Sequence, residues 1–231
     1  MDGILLVDKP KGWSSFDVIR KLRSVTGFRK IGHAGTLDPM ATGLLILLFG
    51  NTTKQAGRFL KLDKVYEAEI SLGKTSTTDD AEGQLQTISD QPAYRTGRKP
   101  TLGKIDEVLQ TFTGTTSQTP PSFSAIKVGG QRAYKLARKG AEVALQARPV
   151  TVHSLALKSY KYPKLQIETH VGSGTYIRSL ARDIGQKLGS GAYLSGLRRT
   201  RIGEFSIRQA VQPDRLSKAA VEAALKLIER V

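Results

Sequence analysis

The first third of the chain alternates short apolar runs with polar turns. Gly3–Val7 is a continuous apolar run flanked by acidic residues and predicts a buried strand. Residues 14–17 read Ser-Ser-Phe-Asp, a sequence typical of a helix cap. Apolar residues then recur at helical spacing at Val18, Ile19, Leu22 and Val25. A second apolar run, Leu44–Phe49, predicts another buried strand.

The middle of the chain predicts a helix followed by a half-buried strand. Asn51 or Thr52 is placed to cap a helix that ends near Leu60. Tyr66–Leu72 alternates apolar and polar residues with period two, as a strand with one solvated face does. The stretch over 75–100 is polar and rich in turn residues.

The second half of the chain mixes helices and strands. Strands are predicted at 124–128, 150–160, 164–171 and 202–207. Helices are predicted at 101–112, 131–139, 176–188 and 218–230. The two kinds of element do not alternate regularly, so the pattern does not predict a doubly wound parallel sheet.

The charge of the chain favours a polyanionic partner. The 231 residues carry 36 Lys and Arg against 20 Asp and Glu, for a net charge of +16 and a pI near 10.1. Residues 1–90 are almost balanced, with 12 basic and 11 acidic side chains, whereas residues 91–231 hold 24 and 9. The second half is therefore the expected polyanion-binding face.

Other classes of protein are disfavoured by composition. The longest aliphatic run, Leu44–Phe49, is far shorter than the roughly 20 residues of a membrane-spanning helix. Ile4–Val7 is too short and wrongly flanked for a secretory signal, and the absence of cysteine fits a reducing compartment, so we expect a cytoplasmic protein. His33, His153 and His170 lie far apart in sequence, so no metal is predicted.

The segment Gly32–Gly43 is the most informative stretch for chemistry. It contains three glycines, one proline and no hydrophobic period, which predicts a structured loop before the strand at 44–49. Glycine frees the backbone and Pro39 stiffens it beside one carboxylate, Asp38. Such a loop is suited to hold a reactive acid, although an aspartate before proline also commonly caps a turn.

Five motifs of this chain resemble, in order, motifs of the tRNA pseudouridine synthase B family. The matching segments are Lys9–Gly12 with Ser14 and Ser15, Gly32–Gly43, Tyr66–Gly73, Pro120–Lys127 with Gly130–Gly140, and Gly172–Leu180. The resemblance covers nearly the whole chain. Five ordered motifs are much more specific than any one of them.

The resemblance implies an α+β pseudouridine synthase fold. In this fold a large, mixed, mainly antiparallel sheet is flanked by helices and carries a central catalytic cleft. The implied organisation is one catalytic domain over residues 1–231, with an RNA-clasping insertion at about 118–146. Family members usually add a small C-terminal RNA-binding domain, which is expected to be absent here.

The implied activity is the isomerisation of uridine to pseudouridine in tRNA, at uridine-55 of the T loop, by base flipping. Moving uracil from an N1 to a C5 glycosidic link changes no net oxidation state and transfers no group, so no cofactor is expected. The expected partner is the tRNA T stem-loop, bound by a monomer without a membrane or nucleotide cofactor. Two alternatives are a non-catalytic RNA-binding protein and a guide-dependent synthase that needs partner proteins.

The resemblance assigns catalytic roles to Asp38, Arg178, Tyr66 and Tyr176. Asp38 attacks the ribose or initiates glycosidic cleavage, as carboxylates do in glycosyl transfer. Arg178 is the expected counter-charge of that carboxylate. The Tyr66 ring stacks on the detached base, its hydroxyl is also a candidate to help remove the C5 proton, and Tyr176 is a second pocket tyrosine. From residue type alone, both tyrosines fit ordinary core packing and Arg178 fits a surface helix equally well.

A second set of residues is assigned to substrate binding. They are Lys9, His33, Leu197, Arg132, Lys135 and Lys139. The resemblance implies that His33 stacks in the gap left by the flipped nucleotide and that Leu197 lines the base. The three cations at 132–139 share a face of the predicted helix and are suited to phosphates, or alternatively form a solvated helix face.

Two glycine-rich fragments resemble nucleotide-binding loops without matching them. Leu72–Thr75 reads like the end of a phosphate-binding loop, but Ala68 stands where the first glycine of that loop is required. Gly172 and Gly174 begin a dinucleotide fingerprint whose third glycine is replaced by Ile177. Neither an NTPase nor a nicotinamide or flavin enzyme is predicted.

Overall fold

The computed structural model describes residues 1–88 and 99–227, which form two compact units. Unit 1 comprises Met1–Glu67 and Leu197–Val231, and unit 2 comprises Ala68–Gly196. The strands are β1 (Gly3–Lys9), β2 (Ile31–Ala34), β3 (Thr42–Phe49), β4 (Lys64–Leu72), β5 (Lys74–Ser76), β6 (Leu85–Thr87), β7 (Gly114–Gln118), β8 (Lys127–Val128), β9 (Gln131–Arg132), β10 (Arg148–Lys161), β11 (Lys164–Val171), β12 (Ala192–Ile202) and β13 (Phe205–Ser206). The helices are α1 (Ser15–Thr26), α2 (Ala56–Leu60), α3 (Leu102–Gln110), α4 (Ala133–Ala137), α5 (Ile177–Lys187) and α6 (Lys218–Ala224).

Strand β3 is the centre of unit 1. It pairs antiparallel with β1 and β2, and its start pairs in parallel with Arg198 and Arg199 of β12. Because successive strand side chains point to opposite faces, β3 supplies two apolar surfaces. One surface packs against α1, and the other packs against Phe59 of α2 and Ile202. Covering both faces explains why the apolar run is continuous rather than alternating.

Helix α1 begins as its sequence predicts. The Ser14 hydroxyl accepts a bond from the Asp17 amide, and the Asp17 carboxylate accepts one from the Ser14 amide, which completes a capping box. Gly27 ends the helix in a left-handed conformation, with φ 71°. The buried side of α1 carries Val18, Ile19 and Leu22.

Unit 2 is built on antiparallel strands. β10 pairs with β11 on one side and β7 on the other, and β4 lies next to β11. Helix α3 packs against β10 and α5. Residues 118–146 contain the hairpin of β8 and β9 and the short helix α4. An RNA-clasping insertion over these residues stays a prediction.

The predicted fold class is confirmed, because the strands form a large mixed sheet with flanking helices. The sheet is mixed since the parallel pair β3 and β12 accompanies antiparallel pairs such as β1 and β3. Among the described residues, no helix combines the length and the apolar character that crossing a bilayer requires.

Several strands differ from the predictions or were not predicted. The predicted loop over 32–43 begins within β2, which was not predicted because its four residues include Gly32 and His33 and show no apolar alternation. The predicted strand at 202–207 is instead the end of β12, with the two-residue β13 after it. β12 has no clean apolar alternation because it contains Gly196 and three arginines, one of them buried. The short polar strands β5, β6 and β7 were also missed.

The predicted elements at 124–128 and 131–139 are both shorter than expected. Gly129 and Gly130 adopt φ 55° and 82°, which turns the chain so that β8 pairs with β9. Only Lys127–Val128 is a strand, and the helix α4 covers Ala133–Ala137. The predicted shared helix face of Arg132, Lys135 and Lys139 is therefore wrong.

Two further helix predictions need correction. The segment expected to start with an Asn51 or Thr52 cap begins as a 3₁₀ turn, Gly50–Gln55, without a side-chain cap, before α2. The helix predicted at 218–230 ends at Ala224, because Lys226 forms two backbone hydrogen bonds with Ile4 of β1. The part of that prediction over 228–230 lies outside the described residues.

Candidate active site

Asp38 lies half-buried in the irregular loop between β2 and β3 of unit 1. Its carbonyl accepts a hydrogen bond from the Ala41 amide at 3.0 Å, which closes a turn around Pro39. Just after the loop, Gly43 of β3 has φ +107°, and a Cβ there would lie 2.3 Å from the Arg199 carbonyl oxygen. Glycine is required at this position because β12 approaches the loop so closely.

Backbone groups on both sides of Asp38 are bound by Gly12, in the turn before α1, and by Ser15, the first residue of α1. The Leu37 amide donates to the Ser15 Oγ at 2.9 Å, and that hydroxyl donates to the Leu37 carbonyl at 3.2 Å. The Gly12 amide donates to the Pro39 carbonyl at 2.8 Å. The loop therefore presents its carboxylate from a fixed backbone.

Arg199 is a buried guanidinium beneath the same loop. It is 1% exposed and donates to the Leu44 carbonyl at 2.7 Å and the Gly35 carbonyl at 3.0 Å. Burial and the Arg199 charge together lower the pKa of the neighbouring Lys64 to about 8. The Lys64 ammonium is held by the carbonyls of Leu60 and Leu62 at 2.7 and 2.6 Å.

Two predicted substrate-binding residues of unit 1, Lys9 and His33, have defined surroundings. Lys9 is fully buried at the end of β1, and its ammonium donates to the Pro10 and Trp13 carbonyls at 3.0 and 2.6 Å. His33 lies on β2 opposite Leu47, and its buried Nδ1 has no hydrogen-bond partner among the described residues. Burial, followed by the charge of Arg199, lowers the pKa of His33, so its neutral form is favoured at neutral pH.

Tyr66 and Leu197 occupy strands of unit 1. Tyr66 is buried on β4, with 8% of its surface exposed. Leu197 is half-buried on β12, and its carbonyl accepts a weak bond from the Thr42 hydroxyl at 3.4 Å. Both are strand residues with restrained backbones, and their contact with a base stays a prediction.

Arg178 lies in unit 2, in the first turn of α5, and is 6% exposed. Its guanidinium donates to the Thr78 carbonyl at 3.2 Å and the Phe123 carbonyl at 2.9 Å, and its Nε lies 3.5 Å from the Asp80 carboxylate. The alternative of a surface arginine is therefore wrong. Asp80, itself 3% exposed, is an ionic partner that the sequence analysis missed.

A second arginine of α5 binds the same turn of unit 2. Arg182 pairs with Asp79 at 2.7 Å and donates to the Thr119 carbonyl at 2.9 Å. Asp79 adopts φ 62°, which is unusual for a residue with a side chain. Burial raises the pKa of Asp79, although the Arg182 and Arg178 charges oppose this shift. Two adjacent acids within a turn-rich stretch were the sequence signal for this network.

Tyr176 immediately precedes α5 and is held by one amide side chain. The Tyr176 amide donates to Gln118 Oε1 at 2.8 Å, and Gln118 Nε2 donates to the Tyr176 carbonyl at 3.1 Å. The Arg148 guanidinium lies over the tyrosine ring, 5.3 Å from its centre. The ring therefore carries a cationic neighbour, a favourable contact in itself.

The predicted phosphate-binding cations are all exposed. Arg132 lies on β9, Lys135 on α4, and Lys139 beyond the end of α4. Two of the three histidines lie close together in the fold, because β10 and β11 place the ring centres of His153 and His170 4.6 Å apart. The predicted absence of a metal stays a prediction.

The predicted site residues thus fall into two groups. Lys9, His33, Asp38, Tyr66 and Leu197 belong to unit 1, whereas Arg132, Lys135, Lys139, Tyr176 and Arg178 belong to unit 2. Sequence reasoning missed the buried polar residues that hold these groups in place, namely Ser15, Asp80 and Arg199.

Two family models match adjacent parts of the chain. The model described as TruB family pseudouridylate synthase, N terminal domain, matches residues 23–177. The model described as tRNA pseudouridylate synthase B C-terminal domain matches residues 178–230. Together they cover most of the chain.

Relatives named tRNA pseudouridine synthase B are similar over nearly the full chain. The protein of Thermobifida fusca is 44% identical over 243 residues, covering 100% of this chain and 78% of the relative. That of Leifsonia xyli is 43% identical, covering 99% of this chain and 78% of the relative. The protein of Mycobacterium tuberculosis is 43% identical over 94% of this chain and 72% of its own length.

Solved structures share the fold. A Cbf5-Nop10-Gar1 complex contains a chain 27% identical to this one, with a TM-score of 0.68 over 91% of this chain. A chain of an H/ACA RNP bound to a substrate RNA containing 2'-deoxyuridine is 24% identical, with a TM-score of 0.69 over 97% of this chain. The present chain spans about half the length of these two solved chains, 52% and 56%.

Proposed function

Because this chain belongs to the TruB family of pseudouridylate synthases, we propose that it converts uridine to pseudouridine in tRNA, at uridine-55 of the T loop. The observation that carries the proposal is full-chain similarity to tRNA pseudouridine synthase B at 40% identity or more. The presence of Asp38 on a braced loop supports it independently, because the reaction requires a positioned carboxylate.

The reaction is an isomerisation that balances within one nucleotide. The N1–C1′ bond of uridine breaks and a C5–C1′ bond forms, the C5 hydrogen leaves as a proton, and N1, which carries no hydrogen in uridine, gains one. Asp38 is proposed to attack the ribose or to initiate this cleavage. No net redox change occurs, and the target nucleotide must be flipped out of the RNA for Asp38 to reach it.

The remaining site residues have supporting roles in this proposal. Arg178 supplies positive charge for the reaction, Tyr66 supports the base by stacking, and Tyr176 contributes a second pocket ring. Asp80 belongs with this group because it pairs with Arg178 inside unit 2. His33 and Leu197 are proposed to contact the flipped nucleotide and its surroundings.

RNA binding is proposed to rest on the basic second half of the chain. Arg132, Lys135 and Lys139 are exposed and suited to phosphate contacts, which position a substrate without taking part in its chemistry. Lys9 is proposed to act from the interior, where its buried ammonium fixes the turn before α1. We propose that the protein works as a cytoplasmic monomer.

The direct test is to incubate the purified chain alone with an unmodified tRNA transcript carrying tritium at uracil C5. Isomerisation releases that tritium to solvent, and chemical mapping locates the product. We expect one modified T-loop uridine without added metal, nucleotide or guide RNA. Tight binding without tritium release would favour a non-catalytic RNA-binding protein, and release only with a guide RNA and partners would favour a guide-dependent synthase.

A further inference from the structure

Gly12 and Ser15 bind the backbone on both sides of Asp38. Ser15 uses one hydroxyl to satisfy both backbone groups of Leu37, with distances of 2.9 Å to its nitrogen and 3.2 Å to its oxygen. Gly12 binds the carbonyl of Pro39 at 2.8 Å. The residues immediately before and after Asp38 are therefore attached to the same short segment.

The Ser15 contact is shielded from water. Ser15 is 2% exposed and Leu37 is 3% exposed. Leu37 belongs to no helix or strand, so its backbone groups have no ladder or helical partners. A buried amide and carbonyl without hydrogen-bond partners lower the stability of the folded state. Because Ser15 and Leu37 are buried, bulk water does not reach the Leu37 backbone to replace the serine hydroxyl.

The segment that carries Ser15 is itself rigidly placed. Ser15 is the first residue of α1, whose apolar side packs in the core beside β3. The turn before it is braced by the buried Lys9 ammonium, which binds the Pro10 and Trp13 carbonyls. The hydroxyl of Ser15 thus connects the Asp38 loop to a fixed point of unit 1.

We propose that Ser15 is a positioning residue for Asp38, an inference that rests on the proposed function. A carboxylate that must meet one ribose carbon depends on its placement, and a displacement of about 1 Å lowers such a rate by roughly 100-fold. Losing the Ser15 hydroxyl releases Leu37 and allows the adjacent Asp38 to shift. Ser15 touches no reacting atom in this account.

The neighbouring serine provides a matched control. Ser14 has the same side chain and belongs to the same helix start, but its hydroxyl caps α1 by accepting a bond from the Asp17 amide at 3.2 Å. Ser14→Ala therefore weakens the helix without removing a bond to Leu37. Ser15→Thr keeps the hydroxyl and serves as the conservative variant.

The experiment measures the single-turnover rate of tritium release with enzyme in saturating excess over the tRNA transcript. Under this condition an unfolded fraction of enzyme does not change the rate constant. We expect Ser15→Ala to lower the rate roughly 10- to 100-fold with unchanged tRNA affinity, and Ser15→Thr to restore most of it. Ser14→Ala should lower the melting temperature and keep the wild-type rate.

Two results would overturn the proposal. One is a Ser15→Ala rate constant within twofold of wild type, and the other is an equal loss of rate in Ser14→Ala, which would trace the effect to the helix instead. Both results require an active wild-type enzyme, so they leave the proposed function standing. A wild-type chain that releases no tritium would instead refute the proposed function itself.

Discussion

Asp80 forms a buried ion pair with Arg178, its carboxylate lying 3.5 Å from the arginine Nε. Its carboxylate also accepts bonds from the Thr78 hydroxyl at 2.5 Å and the Glu82 amide at 3.0 Å. Asp80→Asn keeps the shape but leaves Arg178 without this counter-charge, so we expect the free energy of unfolding to fall by about 3 kcal/mol. Urea unfolding measures this change. Asp106→Asn, on the exposed side of α3, should change stability by less than about 0.5 kcal/mol, and an equal effect of both variants would contradict the account.

His33 is expected to titrate below its ordinary pKa, because burial and then the Arg199 charge disfavour the imidazolium. The chain has three histidines, so NMR of labelled imidazoles can follow each one, with His33→Gln as the assignment control. Because the His33 pKa is lower in the folded chain, the unfolded chain takes up a proton at a higher pH than the folded chain. The free energy of unfolding should therefore be unaffected by His33 above about pH 6.5 and should fall as the pH drops below that value. A His33 midpoint at or above the ordinary value of 6.5 would contradict the burial argument.

The loop between β2 and β3 depends on Arg199, which binds carbonyls at its start and just after its end. Arg199→Met removes both bonds and leaves the Leu44 and Gly35 carbonyls unsatisfied, so we expect a loss of about 2–4 kcal/mol in the free energy of unfolding. Urea unfolding again measures the loss. Arg201→Met is a matched control on the same strand, because Arg201 is exposed and should change stability little. Equal losses in the two variants would mean that the buried Arg199 hydrogen bonds do not contribute to the free energy of unfolding.

Elements that could be predicted from the sequence are those whose signal is local. β3 is recognisable as an apolar run, and α1 carries a cap, a helical period and a terminal glycine within one short segment. β12 gave no comparable signal, since its buried Arg199 is stabilised by carbonyls that are distant in sequence. The short polar strands β5 and β6 depend on pairing with each other rather than on apolar periodicity.

The same distinction holds for the candidate site. Asp38 was predictable because its glycines and proline lie beside it and resemble a known motif. For Asp80 the sequence shows only two adjacent acids in a turn-rich stretch, and its pairing with Arg178 was not predictable because it is created by the packing of α5 on a distant turn. Ser15 was interpreted as part of a helix cap, and only the folded chain shows its hydroxyl bound to Leu37. Residues such as Asp80 and Ser15, which position other side chains or backbone groups, are therefore not recognisable from sequence patterns.

At the scale of the whole molecule, the uneven charge predicts strongly salt-dependent RNA binding. Residues 91–231 hold 24 basic and 9 acidic side chains, so binding should release counterions from RNA phosphates. We expect tRNA affinity to fall steeply with salt. Arg132→Ala with Lys135→Ala should reduce the slope of log affinity against log salt by roughly 0.7–0.9 for each phosphate that is no longer neutralised. Filter binding across a salt series measures both slopes.

The single-turnover rate at saturating RNA separates binding from chemistry in that double variant. Phosphate contacts position the substrate, so this rate should remain near that of the wild type. A wild-type affinity that does not change between low and moderate salt would contradict the role of the basic half. Failure of the chemical step at saturation would instead place these cations in the active site.

Asp38 is the residue by which we expect this chain to isomerise uridine. Asp38→Asn keeps the size of the side chain while removing its charge and nucleophilicity, and Asp106→Asn makes the same change at an exposed position of α3. The decisive measurement is single-turnover pseudouridine formation on saturating unmodified tRNA, with tRNA affinity and thermal unfolding measured in parallel. We expect Asp38→Asn to lower the rate by a factor of about 1,000 or more, with affinity and folding retained, and Asp106→Asn to behave as wild type. Robust pseudouridine formation by Asp38→Asn would show that Asp38 is not the catalytic carboxylate.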